Sequence, residues 1–402
     1  MFRAALVVAA ILTGLPVAST GLSSVLPGSG LSRELTEVGA NGETRYSAGS
    51  SQIGLTAGTA ARADITRYFR SGSIPELAMS TDVDMEDPTA MLFGVYPGGG
   101  NGEIGAVPRP APATVLDRLD ELRGAQPLDI HLYTAWSWHS NEALDADVAR
   151  YTSAGYSVSL TIKYSPPAGR EGDMQGFAAF VRDVVRRHAS NPMVQRFVIG
   201  NEINVANGNP GSSDGPFAGV REAAIAGVLA AHEEIAALDS SAQIGFSVAV
   251  LERETDISFL VELAVQGGAE FTSAVGFLGL HVYPGLWPVG TGEAYADMVT
   301  HLEDARAGLR TAGFADAVTI FVLENGYPTP DETVQLEKLN GFLQAVCDSR
   351  ESAGVSGYSW FDLWDADSSS DNVYAHYGLL RSDMSKKAGF DRYREIISNG
   401  CQ

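Results

Sequence analysis

From Met91 onward two apolar patterns alternate along the chain. Short uninterrupted runs, bounded by turn residues, read as strands buried on both faces. They are MLFGV from Met91, DIHLY from Asp129, SVSLTI from Ser157, RFVIG from Arg196, QIGFSV from Gln243, VGFLGLHV from Val275, AVTIFVLE from Ala317 and GYSWF from Gly357. Between them stand longer segments with apolar residues at i, i+3, i+4 and i+7, the one-sided stripe of an amphipathic helix. The stripe is clearest at Phe177, Phe180, Val181 and Val184, and recurs at Ile225, Val228 and Leu229 and at Leu336, Leu339, Leu343 and Val346. Eight strand-helix units in strict order, the last helix lying around Phe390 to Ile397, predict an α/β fold: a closed (β/α)8 TIM barrel over 89–402. An open sheet is the alternative, and the placing of the chemistry separates the two, because barrel enzymes gather catalytic groups at the carboxyl ends of several strands.

The segment before the barrel has a different texture. Residues 21–88 are rich in Gly, Ser, Thr and charge, and read as a linker or irregular extension. Residues 1–20 carry Arg3, an apolar run from Ala4 to Leu15 and small residues from Val17, the make-up of a secretory signal. The run falls short of the roughly 20 residues that span a bilayer, so a secreted, extracellular protein with no membrane partner after signal removal is expected.

Composition narrows the partners. With 27 Lys and Arg against 49 Asp and Glu, the formal net charge is −22. Such a chain repels polyanions, which argues against nucleic acid and favours neutral over uronic-acid polymers. Only Cys347 and Cys401 are present, and in an exported chain two cysteines are expected to pair. In a barrel, Cys347 falls near the end of the seventh helix and Cys401 just after the eighth. Consecutive helices are neighbours that end on one face, so the bond would tie down the carboxyl terminus.

Two strand ends carry carboxylates. The fourth runs Ile199, Gly200, Asn201, Glu202, and the seventh Val322, Leu323, Glu324, Asn325, Gly326. Burying a glutamate there is costly without a task or a partner. Glycoside cleavage needs two carboxyl groups flanking one bond, one to protonate the leaving oxygen and one to attack the anomeric carbon or activate water. The Asn-Glu at the fourth strand end and the Glu-Asn-Gly at the seventh resemble the signatures of the retaining barrel glycosidases called clan A. IGNEIN, HVYP and ENGYP look most like its endo-galactanases and plant-type endo-β-glucanases, and YSWFDLWD with HYGLL like its β-xylosidase and β-glucosidase branches.

The resemblance implies Glu202 as acid/base and Glu324 as nucleophile. It also implies Asn201 on the neighbouring sugar hydroxyl, Tyr283 as the tyrosine that bonds the nucleophile, with His281 beside it, and Trp360 as the floor of the reacting sugar. The clan's arginine near the second strand end has no counterpart, since Tyr133 to His139 contains nothing basic but His139. Tyr133, Trp136 and Trp138, with Tyr96, Tyr164, Trp287 and Trp364, are candidate sugar platforms, and Trp136 and Trp138 share a face if their loop is extended.

Other signatures fall away. Gly100, Gly102 and Gly105 match a dinucleotide fingerprint, but Pro108, Pro110 and Pro112 prevent a helix from starting at the third glycine. The acidic groups Asp82, Asp84, Glu86 and Asp87, and Asp362, Asp365, Asp367 and Asp371, lack calcium-loop spacing and read as solvated loops. No cofactor or metal is therefore expected. The expected activity is a retaining hydrolase of β-glycosidic bonds in a neutral polysaccharide, acting endo. An exo-β-glycosidase or transglycosylase on oligosaccharides and a non-catalytic carbohydrate-binding barrel are the alternatives, and the sequence leaves the oligomeric state open.

Overall fold

All eight apolar runs form strands: β1 (Leu92–Val95), β2 (Asp129–Ala135), β3 (Ser157–Lys163), β4 (Val194–Ile199), β5 (Gln243–Ala249), β6 (Phe277–His281), β7 (Thr319–Asn325) and β8 (Val355–Trp360). In this computed structural model they pair in chain order, all parallel, and β8 returns to β1, closing a barrel. The structure describes residues 91–100, 104–105, 109–138, 141–286 and 290–401. The expected signal, the extension over 21–88, the acidic group from Asp82 to Asp87, His139 and Trp287 lie outside the described residues.

The helices are α1 (Pro112–Arg123), α2 (Glu142–Ser153), α3 (Met174–His188), α4 (Val220–Ala237), α5 (Arg253–Ala274), α6 (Ala294–Thr311), α7 (Glu332–Asp348), the single turn α8 (Arg350–Ala353) and α9 (Ala388–Asn399). The first starts at Pro112, where a proline's missing N–H is harmless. Helix α3 buries Phe177, Val181 and Val184 of the predicted stripe, leaves Phe180 half-buried, and is capped by Asp173, which accepts from the Gly176 N–H. Each fully buried side chain of that kind contributes about 1.5–3 kcal/mol. No helix among the described residues is long and apolar enough to cross a membrane.

Inside the barrel, side chains from opposite strands meet. Val198 of β4 packs with Phe277 of β6 and with Phe321 and Leu323 of β7, and the Arg196 guanidinium lies 4.5 Å from the Phe321 ring centre. Gly357 makes room for that ring, since a Cβ there would lie 2.2 Å from a Phe321 carbon. These side chains fill the barrel interior below its carboxyl end, where barrel enzymes place their sites. Cys347 and Cys401 are bonded, closing a 54-residue loop that holds the end of α9 to the end of α7.

Candidate active site

The end of β4 is built to present Glu202. Gly200 has φ 82° and Glu202 itself φ 50°, a left-handed turn that is unfavourable for a residue with a side chain. Neighbouring groups hold it there. Buried Asp214 accepts the Asn201 N–H at 2.8 Å and the Tyr164 N–H at 2.6 Å through one oxygen, tying the ends of β4 and β3 together. The Glu202 N–H donates to Ser247 Oγ of β5 at 3.1 Å. Lys163, at the end of β3, donates to the carbonyls of Gly211 and Ser212. That fastens the following loop, so that Ser213 Oγ reaches Glu202 Oε2 at 2.5 Å.

Glu324 arrives from β7 through an irregular register. The β6–β7 pairing shifts between Leu280 and His281, and β7–β8 between Val322 and Asn325. Glu324 thereby stands beside His281. Tyr133 donates to its Oε1, and Tyr283 donates to its Oε2 at 2.7 Å. His281 Nδ1 lies 3.2 Å from an oxygen of Glu202 and 3.2 Å from one of Glu324. Both glutamates are 7% exposed and the histidine is fully buried.

Burial opposes a charged His281, but Glu324 and Glu202 outweigh it and hold the imidazole above its ordinary value. Burial likewise works to raise the Glu202 carboxyl, and His281, Ser213 and Lys163 together bring it below the usual range. His281 Nδ1 is thereby placed to hold a proton between the two carboxylates. One oxygen of each glutamate and one His281 nitrogen lie within 4.8 Å of one another, a spacing that would also suit a cation. Both Glu324 oxygens accept from tyrosines and Glu202 Oε2 accepts from Ser213, so protein donors already hold these carboxylates.

Asn201 donates to the Ser212 carbonyl at 2.6 Å, while its buried Oδ1 has no partner and can accept from a ligand hydroxyl. Tyr283, Tyr377 and Phe361 form a cluster with Tyr96, whose ring stacks on Phe361 at 5.0 Å and meets Tyr133 edge-on at 5.4 Å. These rings stand beside Glu324, to which Tyr133 and Tyr283 donate.

Three expectations need correction. Trp360 is fully buried with its indole N–H on the Tyr377 carbonyl. Strand alternation puts it on the same face as Tyr358, which packs against Tyr393 of α9, so the aromatic that joins the ring cluster beside Glu324 is Phe361, just after β8. The loop after β2 is a turn, closed by Trp138 N–H to the Ala135 carbonyl, rather than extended. Trp136 is consequently buried against Tyr164 and Phe177, and Trp138 alone of the two is open, at 54% exposure. Asp362 and Asp365 are not solvated: Asp365 is buried against Lys387 Nζ at 2.7 Å, and Asp362 is buried with no partner for its Oδ1. Asp367 and Asp371 do lie towards solvent.

Burial, followed by the charges of Glu324 and Asp365, pushes the Asp362 carboxyl well above the usual range. A carboxyl raised by folding favours the native state below its unfolded value near 3.9, and that advantage is lost as pH climbs towards the folded value. Asp362→Asn removes the cost of ionising it. The variant is expected to match the parent in Tm near pH 4 and exceed it at pH 7 by about 2 °C for each kcal/mol relieved. A Tm difference that stays constant across this range would rule out Asp362 as the titrating group.

His131, Lys163, Ser213 and Asp214 join the site without having been singled out in the sequence. Two of them had a signal. Asp129, His131 and Tyr133, and Ser157, Ser159, Thr161 and Lys163, are period-two polar files within strands that otherwise look apolar. Ser213 and Asp214 sit in a loop with no local signature.

No protein-family model matches the chain, and no curated protein matches it. Solved structures do. A family 1 β-glucosidase from Thermotoga maritima superposes with a TM-score of 0.55 at 12% identity, covering 77% of this chain and 97% of that one. The same organism's β-glucosidase in complex with methoxycarbonyl-substituted glucoimidazole gives 0.54 at 13% identity, over 77% and 98%. A β-glucosidase from Exiguobacterium marinum gives 0.51 at 14%, again over 77% and 98%. At these identities the likeness is one of fold, and it extends over almost the whole of each of those barrels.

Proposed function

We propose that this protein is a retaining β-glycoside hydrolase. The observation that carries this reading is the meeting of Glu202 and Glu324 at the barrel mouth, with oxygens no more than 4.8 Å apart across His281. A retaining pair stands about 5–5.5 Å apart, and an inverting pair about 6.5–9.5 Å, which leaves room for a water. The likeness to β-glucosidase barrels supports the same reading.

The steps follow from the donors in place. Glu324, oriented by Tyr133 and Tyr283, attacks the anomeric carbon while the bond to the leaving oxygen breaks. That oxygen takes a proton from Glu202. The His281 Nδ1 proton, 3.2 Å from Glu202, arms the acid when it moves to that carboxylate. In the second half, Glu202 takes a proton from water, which attacks the anomeric carbon and releases Glu324. Asn201 Oδ1 accepts from the sugar hydroxyl next to the reacting carbon.

A secreted enzyme acting on a neutral glycan fits the leader-like segment and the charge of −22. Endo-action on a polysaccharide draws support from exposed Trp138. Exo-action on oligosaccharides is the second reading. It is favoured by the burial of Trp136, Tyr164, Trp360 and Trp364, which among the described residues leaves few of the candidate rings free to carry a long chain.

The test is the product. With a β-linked substrate, NMR in the first minutes of hydrolysis is expected to show the β-anomer ahead of mutarotation. An α-anomer formed first would sink the reading. Monosaccharide as the sole early product from a long glycan would select exo-action.

A further inference from the structure

Strand β2 reaches the nucleophile without a cation. Strand β2, Asp129–Ala135, contains no lysine or arginine, yet Glu324 Oε1 receives a hydrogen bond from that strand through Tyr133. Behind Tyr133 lies His131, fully buried, with Nδ1 3.2 Å from the Tyr133 hydroxyl oxygen. Behind His131 lies Thr161 of β3, whose Oγ1 is 2.7 Å from His131 Nε2.

Hydrogen counting gives these contacts a direction. An ionised Glu324 has no proton to give, so Tyr133 spends its only one on the carboxylate. Towards His131 the phenol oxygen can then only accept, which requires a hydrogen on Nδ1. Burial pushes His131 down to about 3, against the pull of Glu324 and the Leu323 carbonyl and with the push of His281, so the ring carries one proton at neutral pH. Nε2 is therefore bare and accepts from the Thr161 hydroxyl.

We propose that Thr161, His131 and Tyr133 form a one-way hydrogen-bond relay that locks the Tyr133 hydroxyl as a standing donor to Glu324, placing a neutral donor where β2 supplies no cation. His131 is a positioning residue: by donating to the Tyr133 oxygen it leaves the phenol proton no acceptor but the Glu324 carboxylate. A neutral donor orients the carboxylate while withdrawing less of its charge than a guanidinium would, which suits a group that must attack. The kinetic part of this inference rests on the glycosidase reading; the tautomer does not.

Histidine-15N NMR on the full chain tests the tautomer without any substrate. The chain has seven histidines, and the His131 signal is the one lost in His131→Asn. We expect Nδ1 protonated, Nε2 bare and no titration between pH 5 and 9; an Nε2–H tautomer, or titration in that window, overturns the relay. Kinetics on the fastest-cleaved 2,4-dinitrophenyl β-glycoside provide the second arm. Tyr133→Phe is expected to lower the rate of glycosyl-enzyme formation about 100-fold, within the range for loss of one preorganised donor. His131→Leu should lower it about 10-fold in the parent and not at all in the Tyr133→Phe background. His131→Asn, whose amide can stand in for Nδ1–H, should recover most of the loss. Additive effects of Tyr133→Phe and His131→Leu would overturn the relay, since a merely structural histidine acts independently of the tyrosine. Should no β-glycoside be cleaved by the parent, the glycosidase reading falls while the tautomer measurement still decides the relay.

Discussion

Glu324→Ala is expected to abolish turnover of β-glycosides, with a fall in kcat of about 10⁴-fold or more. In the proposed mechanism this residue forms the new bond, and no neighbour can replace it: Tyr133 and Tyr283 are donors, and Glu202 is held by Ser213 and His281. Removing it also strands those buried tyrosine hydroxyls, so Glu324→Gln, which keeps acceptor capacity in one oxygen, serves as the folding control. Azide should then enter the vacated space and attack from the nucleophile's side, giving one inversion in place of two. The product expected by NMR is the α-glycosyl azide. Formation of the β-azide, or activity surviving in both variants, would exclude Glu324 as nucleophile.

Glu202→Ala should produce a different pattern because, in the proposed mechanism, its loss removes proton transfer and leaves the attack intact. With a leaving group that needs protonation, such as another sugar, a fall of about 10²–10⁴-fold is expected. With 2,4-dinitrophenolate as the leaving group, formation of the glycosyl-enzyme should be nearly unaffected while its hydrolysis slows. The intermediate then accumulates and a burst appears. Azide, which needs no general base, should accelerate turnover and yield the β-azide. The alkaline limb of kcat/KM, which reports the acid in the free enzyme, should flatten in the same variant. Equal losses for good and poor leaving groups would mean that Glu202 is not the proton donor.

The two carboxylates were legible in the sequence for a simple reason: each follows directly on an apolar run, where its burial demands compensation. His281 and Tyr283 were legible through HVYP, next to the end of β6. His131 and Lys163 were hidden because their strands alternate polar and apolar residues while the apolar ones dominate the reading. Ser213 and Asp214 left no trace, since each works through a contact made by a folded-back loop. Trp360 shows a different limit. One residue along a strand separates the ring cluster beside Glu324 from the helix layer, and its parity placed Phe361 in that cluster.

The sequence by itself determined the barrel, its eight strands in order, the paired cysteines and the two glutamates, because periodicity and the cost of buried charge act locally and can be read from neighbours in the chain. Tertiary structure alone decided how those glutamates are held and charged. The shifts in register around β7, the loop fastened by Lys163 and the directed contacts from Thr161 to Glu324 join side chains remote in sequence, and their hydrogen-bond directions exist only once the barrel has closed.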